Sequence, residues 1–281
     1  MNQLNLTASA AQYVQTTLEG GVLTIMMNQP KKLNGWTAEM MEAFTEAFTK
    51  AATDDVTKAV VFTGAGDYFS AGVNLGGTLK LMHPKKLHGF IIDHNQKLFD
   101  MFLRFPKPIL VAVNGPAIGA SVTSSTLCSG IIASEKATFS TPFAALGITP
   151  EGCSTIHFPR LMGEEGAQRM LGSEGWKPNA EQALTAGLVQ WVVPHEQLQE
   201  EAQKIAQDWV ANGQGRTFLA GSEQAELESA NARESTELAD AFLGAAFLRE
   251  QFRFLWRKNK RVPSLVFLSL WLLRPLWKRL L

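Results

Sequence analysis

Short apolar or β-branched runs alternate with helically periodic stretches through much of this chain, and that alternation restricts the fold more than any other feature. Gly21–Met27 and Ala59–Thr63 are runs of this kind bounded by Gly, Asn or Asp, and they read as strands. Between them Thr37 is placed to cap a helix whose Met40, Met41, Phe44 and Phe48 recur at three- and four-residue spacing. The order repeats with Ile109–Val113 and Gly130–Ser134. They follow the stretch Leu87–Arg104, where Phe90, Ile91, His94, Leu98, Met101 and Phe102 are again helically spaced. Strands alternating with helices predict an α/β domain with a largely parallel sheet. After Val193 the chain turns to Ala, Glu, Gln and Leu at helical period, so a core over 1–193, a helical region over 194–261 and an apolar, basic tail over 262–281 are expected.

Composition narrows the class. A chain of 281 residues, 46% of them hydrophobic, can bury a large core as one domain, with or without an appendage. Lys+Arg and Asp+Glu number 26 each, so no overall field favours nucleic acid. The balance is uneven along the chain: from Arg249 to Leu281 there are nine basic residues and one acid, Glu250. Two cysteines, Cys128 and Cys153, are too few for a disulfide framework, and both sit in segments that read as buried or near a site. Residues 1–18 carry no charge, so neither a secretory signal nor a mitochondrial transit peptide is expected. A reducing compartment is expected: a peroxisome, a mitochondrion or a bacterial cytoplasm. The final Arg279-Leu280-Leu281 does not match the peroxisomal Ser-Lys-Leu form.

Three segments carry chemistry. Ile109–Val113 runs into Asn114-Gly115-Pro116-Ala117-Ile118-Gly119-Ala120, a Gly-rich turn opening a helix, where backbone N–H groups point at a ligand. Upstream stands Phe69-Ser70-Ala71-Gly72-Val73; downstream stands Leu146-Gly147-Ile148-Thr149-Pro150-Glu151-Gly152-Cys153. Taken singly, the glycines would serve tight turns and Glu151 would be a solvated carboxylate at a helix start. In this order, the segments resemble the signature of the crotonase superfamily of acyl-CoA hydratases and isomerases, over about Gly21 to Val193.

The resemblance implies a spiral fold of ββα units and an oxyanion hole for a thioester oxygen, made by the backbone N–H groups of Val73 and Ala120, with Ala71, Gly72 and Gly119 shaping the acyl-CoA site. It also implies an acyl-CoA substrate, no cofactor beyond the CoA that substrate carries, and a homotrimer or a dimer of trimers. Family hydratases use two glutamates; here those positions hold Thr123 and Phe143, neither able to activate water. Glu151 stands where Δ3,Δ2-enoyl-CoA isomerases carry their one catalytic glutamate. A single carboxylate suits a proton shuttle from C2 to C4, and Phe143, Leu146 and Ile148 beside it should raise its pKa. Asn95 stands near the place where the isomerases set an Asn by the carboxylate, able there to orient Glu151 or a water. Lys31 and Lys32 occupy a loop that grips CoA phosphates in the family. His94 and His157 show no metal-ligand spacing, and no metal is expected.

These residues read as an enzyme shifting 3-enoyl-CoA to trans-2-enoyl-CoA. The open alternatives are another single-carboxylate reaction of the same fold, dienoyl-CoA isomerisation or thioester hydrolysis, and a non-catalytic acyl-CoA-binding or membrane-associated scaffold. The tail departs from the family pattern. Val262–Leu273 is an apolar stretch of twelve residues, short of the roughly 20 a membrane span needs. It is expected either to pack on a neighbouring subunit or to lie in a membrane surface with Arg274, Lys278 and Arg279 at the headgroups.

Overall fold

The computed structural model describes residues 3–74 and 82–281. Six strands form its main sheet: β1 (Val14–Glu19), β2 (Val22–Met27), β3 (Ala59–Gly64), β4 (Ile109–Val113), β6 (Gly130–Ser134) and β8 (Trp191–Val193), adjacent in that order. β1 runs antiparallel to β2, and each later pair is parallel, in register Val22 with Ala59, Val60 with Ile109, Leu110 with Gly130 and Ile132 with Trp191. The second sheet is the pair β5 (Ala117–Ile118) and β7 (Phe139–Ser140). The four strands expected from apolar runs are present. β1 was not anticipated, because its Gln15, Thr16 and Thr17 dilute the apolar signal.

Helix α1 (Ala38–Thr53) returns the chain from β2 to β3, and Thr37 caps it as its position suggested, its side chain accepting from the Met40 N–H at 3.3 Å. Its apolar face brings Phe44 and Phe48 against Phe62 of β3, and Phe48 also meets Phe102 of α2 (Pro84–Leu103) edge-on at 5.5 Å between ring centres. These rings lie in the main core, with Trp36, Phe69 and Phe99. Helix α7 (Leu198–Ala211) packs its Leu198, Ala202 and Ala206 against Val61, Leu110, Ala112 and Ile132 of the sheet. Apolar burial of this kind stabilises by about 25 cal/mol per Å², which explains why β3, β4 and β6 are buried at every position.

Between β4 and α7 lie short elements: α3 (Ala120–Thr126) after β5, α4 (Phe143–Leu146) after β7, then α5 (Ser154–Leu171) and α6 (Ala180–Thr185). The chain closes with α8 (Gln224–Phe242), α9 (Ala245–Arg257), α10 (Arg261–Leu272) and α11 (Arg274–Trp277). α8 lies along α2, with Asn231 Nδ2 donating to the Gln96 carbonyl at 3.0 Å and to Asp100 Oδ1 at 2.9 Å.

The tail is covered in part by its own chain. One side of α10 packs on its own chain: Ser264 is buried, its hydroxyl donating to the Phe252 carbonyl at 3.0 Å, and Phe267, Leu270, Trp271 and Trp277 pack against a cluster containing Ile91, Phe242, Phe247 and Leu248. Arg274, expected at a headgroup, donates from Nε to the Leu243 carbonyl at 2.7 Å and so ties the tail inward. That reading named only a partner subunit or a membrane as cover, whereas the chain's own α8 and α9 cover one side of the segment. Val262, Leu272, Leu273 and Leu276 remain exposed on this segment. Among the described residues no helix is long and apolar enough to cross a membrane.

Candidate active site

Two loops and two helix starts meet around one apolar cavity of about 150 Å³. The first loop, Ser70 to Val73, runs alongside Ala117–Ile118: the Ser70 N–H donates to the Pro116 carbonyl at 3.2 Å and the Ile118 N–H to the Ser70 carbonyl at 3.0 Å. Gly72 has φ +75°, and a Cβ there would sit 2.3 Å from the Ile118 carbonyl oxygen, so only glycine permits this approach. The pairing sets the Val73 and Ala120 backbones on the wall of one cavity, together with Ala71, Gly72 and Gly119. Ala120 is the first residue of α3, where an N–H has no intrahelical acceptor. Among the described residues, no group accepts a hydrogen bond from the N–H of either Val73 or Ala120.

Glu151 enters the same cavity from the turn before α5. Ser154 closes that turn, its hydroxyl donating to the Glu151 carbonyl at 2.7 Å. Gly152 has φ +67°, and a Cβ on it would lie 2.7 Å from Thr123 Oγ, the atom that meets the carboxylate. With glycine there, the Thr123 hydroxyl donates to Glu151 Oε1 at 3.0 Å. Oε2 of Glu151 is buried without a partner among the described residues. The residue is only 4% exposed, and burial pushes its carboxyl up to about 8. The Thr123 hydrogen bond pulls the other way, and the charge of Glu234 adds to the rise.

Phe143, Leu146 and Ile148 line the cavity as the sequence suggested, and Phe143 is buried. Thr123 was read from sequence only as a missing glutamate; its contact with Glu151, 28 residues on, could not be seen without the fold. Asn95 also lines the cavity, but its side-chain amide donates to Ser235 Oγ at 3.1 Å, tying α2 to α8. The amide expected to orient Glu151 or a water thus spends its donor on Ser235 of the facing helix, while the residue stays on the wall of the Glu151 cavity. Lys31 and Lys32 are exposed on the 3₁₀ turn Pro30–Lys32, outside the cavity wall. That turn is joined to the site, the Ala71 N–H donating to the Leu33 carbonyl at 2.9 Å.

Three further groups carry no sequence motif. Glu234, on α8, accepts at Oε1 from the Thr155 N–H at 3.0 Å and from the Thr155 hydroxyl, while its Oε2 is buried without a partner among the described residues. Burial raises its carboxyl to about 7. His94 stacks on Phe90 with ring centres 5.4 Å apart, lines the cavity, and is held below its usual pKa by burial. Leu238 and Phe242 of α8 close the apolar wall, and their four-residue spacing was the one signal available for them. His157 faces elsewhere, its Nε2 being 3.0 Å from the Leu219 carbonyl. Both cysteines are buried and free. Among the described residues, no group of three His, Cys, Asp or Glu could hold a metal ion.

A buried carboxylate with one unpartnered oxygen, in an apolar cavity, beside two free backbone donors, is suited to moving a proton on a substrate whose oxygen gains charge. Comparison with known proteins points to enzymes that act on enoyl-CoA. The family model described as enoyl-CoA hydratase/isomerase matches residues 17–249. Enoyl-CoA delta isomerase 2 of Rattus norvegicus is 34% identical over 261 residues, which are 90% of this chain and 66% of that protein. The chain therefore spans just under two thirds of that relative. Peroxisomal enoyl-CoA delta isomerase 3 of Mus musculus is 31% identical over 263 residues, 90% of this chain and 81% of that one. Among solved structures, an enoyl-CoA hydratase/isomerase from Pseudoalteromonas atlantica T6c superposes with a TM-score of 0.75 at 27% identity, covering 87% of this chain and 97% of its own.

Proposed function

The chain belongs to the enoyl-CoA hydratase/isomerase family, and on that premise we propose that it is a Δ3,Δ2-enoyl-CoA isomerase that converts 3-enoyl-CoA to trans-2-enoyl-CoA, the step that admits unsaturated fatty acids to β-oxidation. The observation that carries this reading is the Glu151 carboxyl, buried in the cavity with a hydroxyl, and no second carboxylate, as its hydrogen-bond partner.

In this reading the thioester oxygen accepts from the Val73 and Ala120 N–H groups. Glu151, as carboxylate, removes one C2 proton; the electron pair left behind delocalises into the thioester as an enolate, whose oxygen the two donors stabilise. Each such donor contributes a few kcal/mol, because the oxygen carries full charge only after proton removal. The thioester carbonyl then re-forms, the C1–C2 π pair shifts to make the C2–C3 double bond, and the C3–C4 π bond breaks as its electron pair takes the proton from the Glu151 carboxyl at C4. No atom is gained or lost. A pKa near 8 suits both halves, since a group that must take and return the same proton works best when its two forms are close in energy near neutral pH. The apolar walls from Phe143, Leu146, Ile148 and Leu238 keep the returning proton from bulk water. Lys31 and Lys32, on the exposed turn bound to Ala71, are assigned to the CoA phosphates.

The test is Glu151→Gln, which keeps the shape of the side chain but cannot carry a proton. Isomerisation of 3-hexenoyl-CoA should fall by about a hundredfold or more in kcat, the usual weight of a positioned general base. Hexanoyl-CoA affinity should stay within a few-fold of the unaltered protein. Full kcat in the variant would remove Glu151 from the role.

A further inference from the structure

Fifteen large apolar side chains are exposed among the described residues, and ten of them lie between Phe254 and Leu281, on α9 to α11 and the turn beyond. The other five are scattered along the rest of the chain, as exposed apolar residues usually are. Helix α10 is apolar on both sides. Phe267, Leu270 and Trp271 face the cluster around Phe242 and Phe247. Val262, Leu265 and Leu272, with Val266 beside them, face outward at helical spacing and are 39% to 75% exposed. On that outer side only Ser269 is polar. A helix apolar all round is stable only when it is covered all round.

Charge indicates what the outer cover is. No acidic residue follows Glu250, and Glu250 is itself engaged by Arg249 and Arg253, at 3.1 and 3.0 Å. Arg257, Lys258 and Lys260 stand exposed before α10, and Lys278 and Arg279 stand exposed after α11. Trp256, also exposed, lies near the first of these groups, its ring centre 3.9 Å from Arg261 Cζ. An outward apolar stripe flanked by cations and a tryptophan is the pattern of a helix lying in a lipid surface.

We infer that α10 lays the protein on an anionic bilayer. Val262, Leu265, Val266 and Leu272 enter the boundary between headgroups and acyl chains, and the flanking cations meet lipid phosphates. With twelve residues, α10 lies along the surface and does not cross it. A second copy of this chain is a poorer cover, since two copies meeting by this face would set like charges together. A protein interface also carries on the order of ten hydrogen bonds, for which the outer side offers the Ser269 side chain alone. These residues all lie past residue 249, where the match to the family model ends, so the docking face is additional to what the chain shares with its family.

Docking can be tested without substrate, independently of the isomerase reading. The full-length protein would be sedimented with vesicles of phosphatidylcholine alone and of phosphatidylcholine mixed equally with phosphatidylglycerol. Binding to the mixed vesicles should be at least about tenfold tighter and should weaken as salt is raised. In the double variant Lys278→Gln, Arg279→Gln it should fall by about twenty-five-fold, each cation near such a surface being worth about fivefold. Leu265→Gln and Leu272→Gln, both at exposed positions, should each lose about tenfold, because the aliphatic side chain no longer leaves water. Circular dichroism would confirm that each variant folds. Equal binding to both vesicles, or binding to neither, overturns the inference. Full binding by the leucine variants also overturns it, since charge alone would then hold the protein. Light scattering of the same variants decides about a second copy: an unchanged mass supports the membrane, whereas a drop in mass makes the face a subunit contact and overturns the inference.

Discussion

The Thr123 hydroxyl lies 3.0 Å from Glu151 Oε1 and 3.3 Å from the Ala120 carbonyl, so a single proton donor stands between the proposed base and the residue that offers the second backbone N–H. One hydroxyl can serve both protonation states. While Glu151 is ionised, Thr123 donates to it. Once Glu151 has taken a proton, Thr123 can accept from the carboxyl and turn its own hydrogen to Ala120.

Thr123→Val should therefore raise the Glu151 pKa above its value of about 8, because the hydrogen bond lost is one that favours the charged form. The base must be ionised in free enzyme, so the acidic limb of kcat/KM against pH should move to higher pH, by about one pH unit for a hydrogen bond to a charged group. Thr123→Ser should keep the original limb. A profile in Thr123→Val that overlays the unaltered one would show that the hydroxyl does not set the state of Glu151.

Glu234 acts on the same group with the opposite sign. Its charge raises the Glu151 pKa, so Glu234→Gln should lower it and move the acidic limb of the profile to lower pH. The amide retains an acceptor for the Thr155 N–H at the start of α5, which makes this a change of charge more than of fold. A limb that stays in place, or moves upward, would contradict the coupling.

Burial of Glu151 has a stability signature separable from catalysis. Its folded pKa of about 8 lies above the ordinary 4.5, so between those values the native state holds a proton that the unfolded chain has released. The stability this contributes is complete below about pH 4.5 and is lost as pH rises through about 8. Glu151→Gln abolishes that loss. Its urea midpoint should match the unaltered protein near pH 5 and exceed it increasingly toward pH 9. Equal midpoints at both ends would mean that Glu151 is not held in an apolar site.

Much of this was readable in the sequence, and what was not has identifiable causes. β3, β4 and β6 announced themselves because each is buried throughout, so that every position is apolar or small. Thr37 and the Gly-rich turn before α3 were legible because capping and positive φ demand particular residues. The wall from α8 was hidden: Leu238 and Phe242 reach the cavity from about 90 residues beyond Glu151, and nothing local in a helix names its distant partner. Glu234 was hidden for the same reason, as an ordinary helical glutamate whose burial depends on α5. The partial cover of the tail by its own chain was hidden because an apolar stretch states that it must be covered and leaves open by what.

The central claim, one carboxylate moving a proton without activating water, is tested most directly by assaying the purified protein on 3-hexenoyl-CoA and crotonyl-CoA in parallel. On the family resemblance, Thr123 and Phe143 are expected to stand where hydratases carry their glutamates, and a missing acid or base costs on the order of a hundredfold. Isomerisation of 3-hexenoyl-CoA should therefore exceed hydration of crotonyl-CoA by about a hundredfold or more. Hydration at a comparable rate, or hydration alone, would contradict the account.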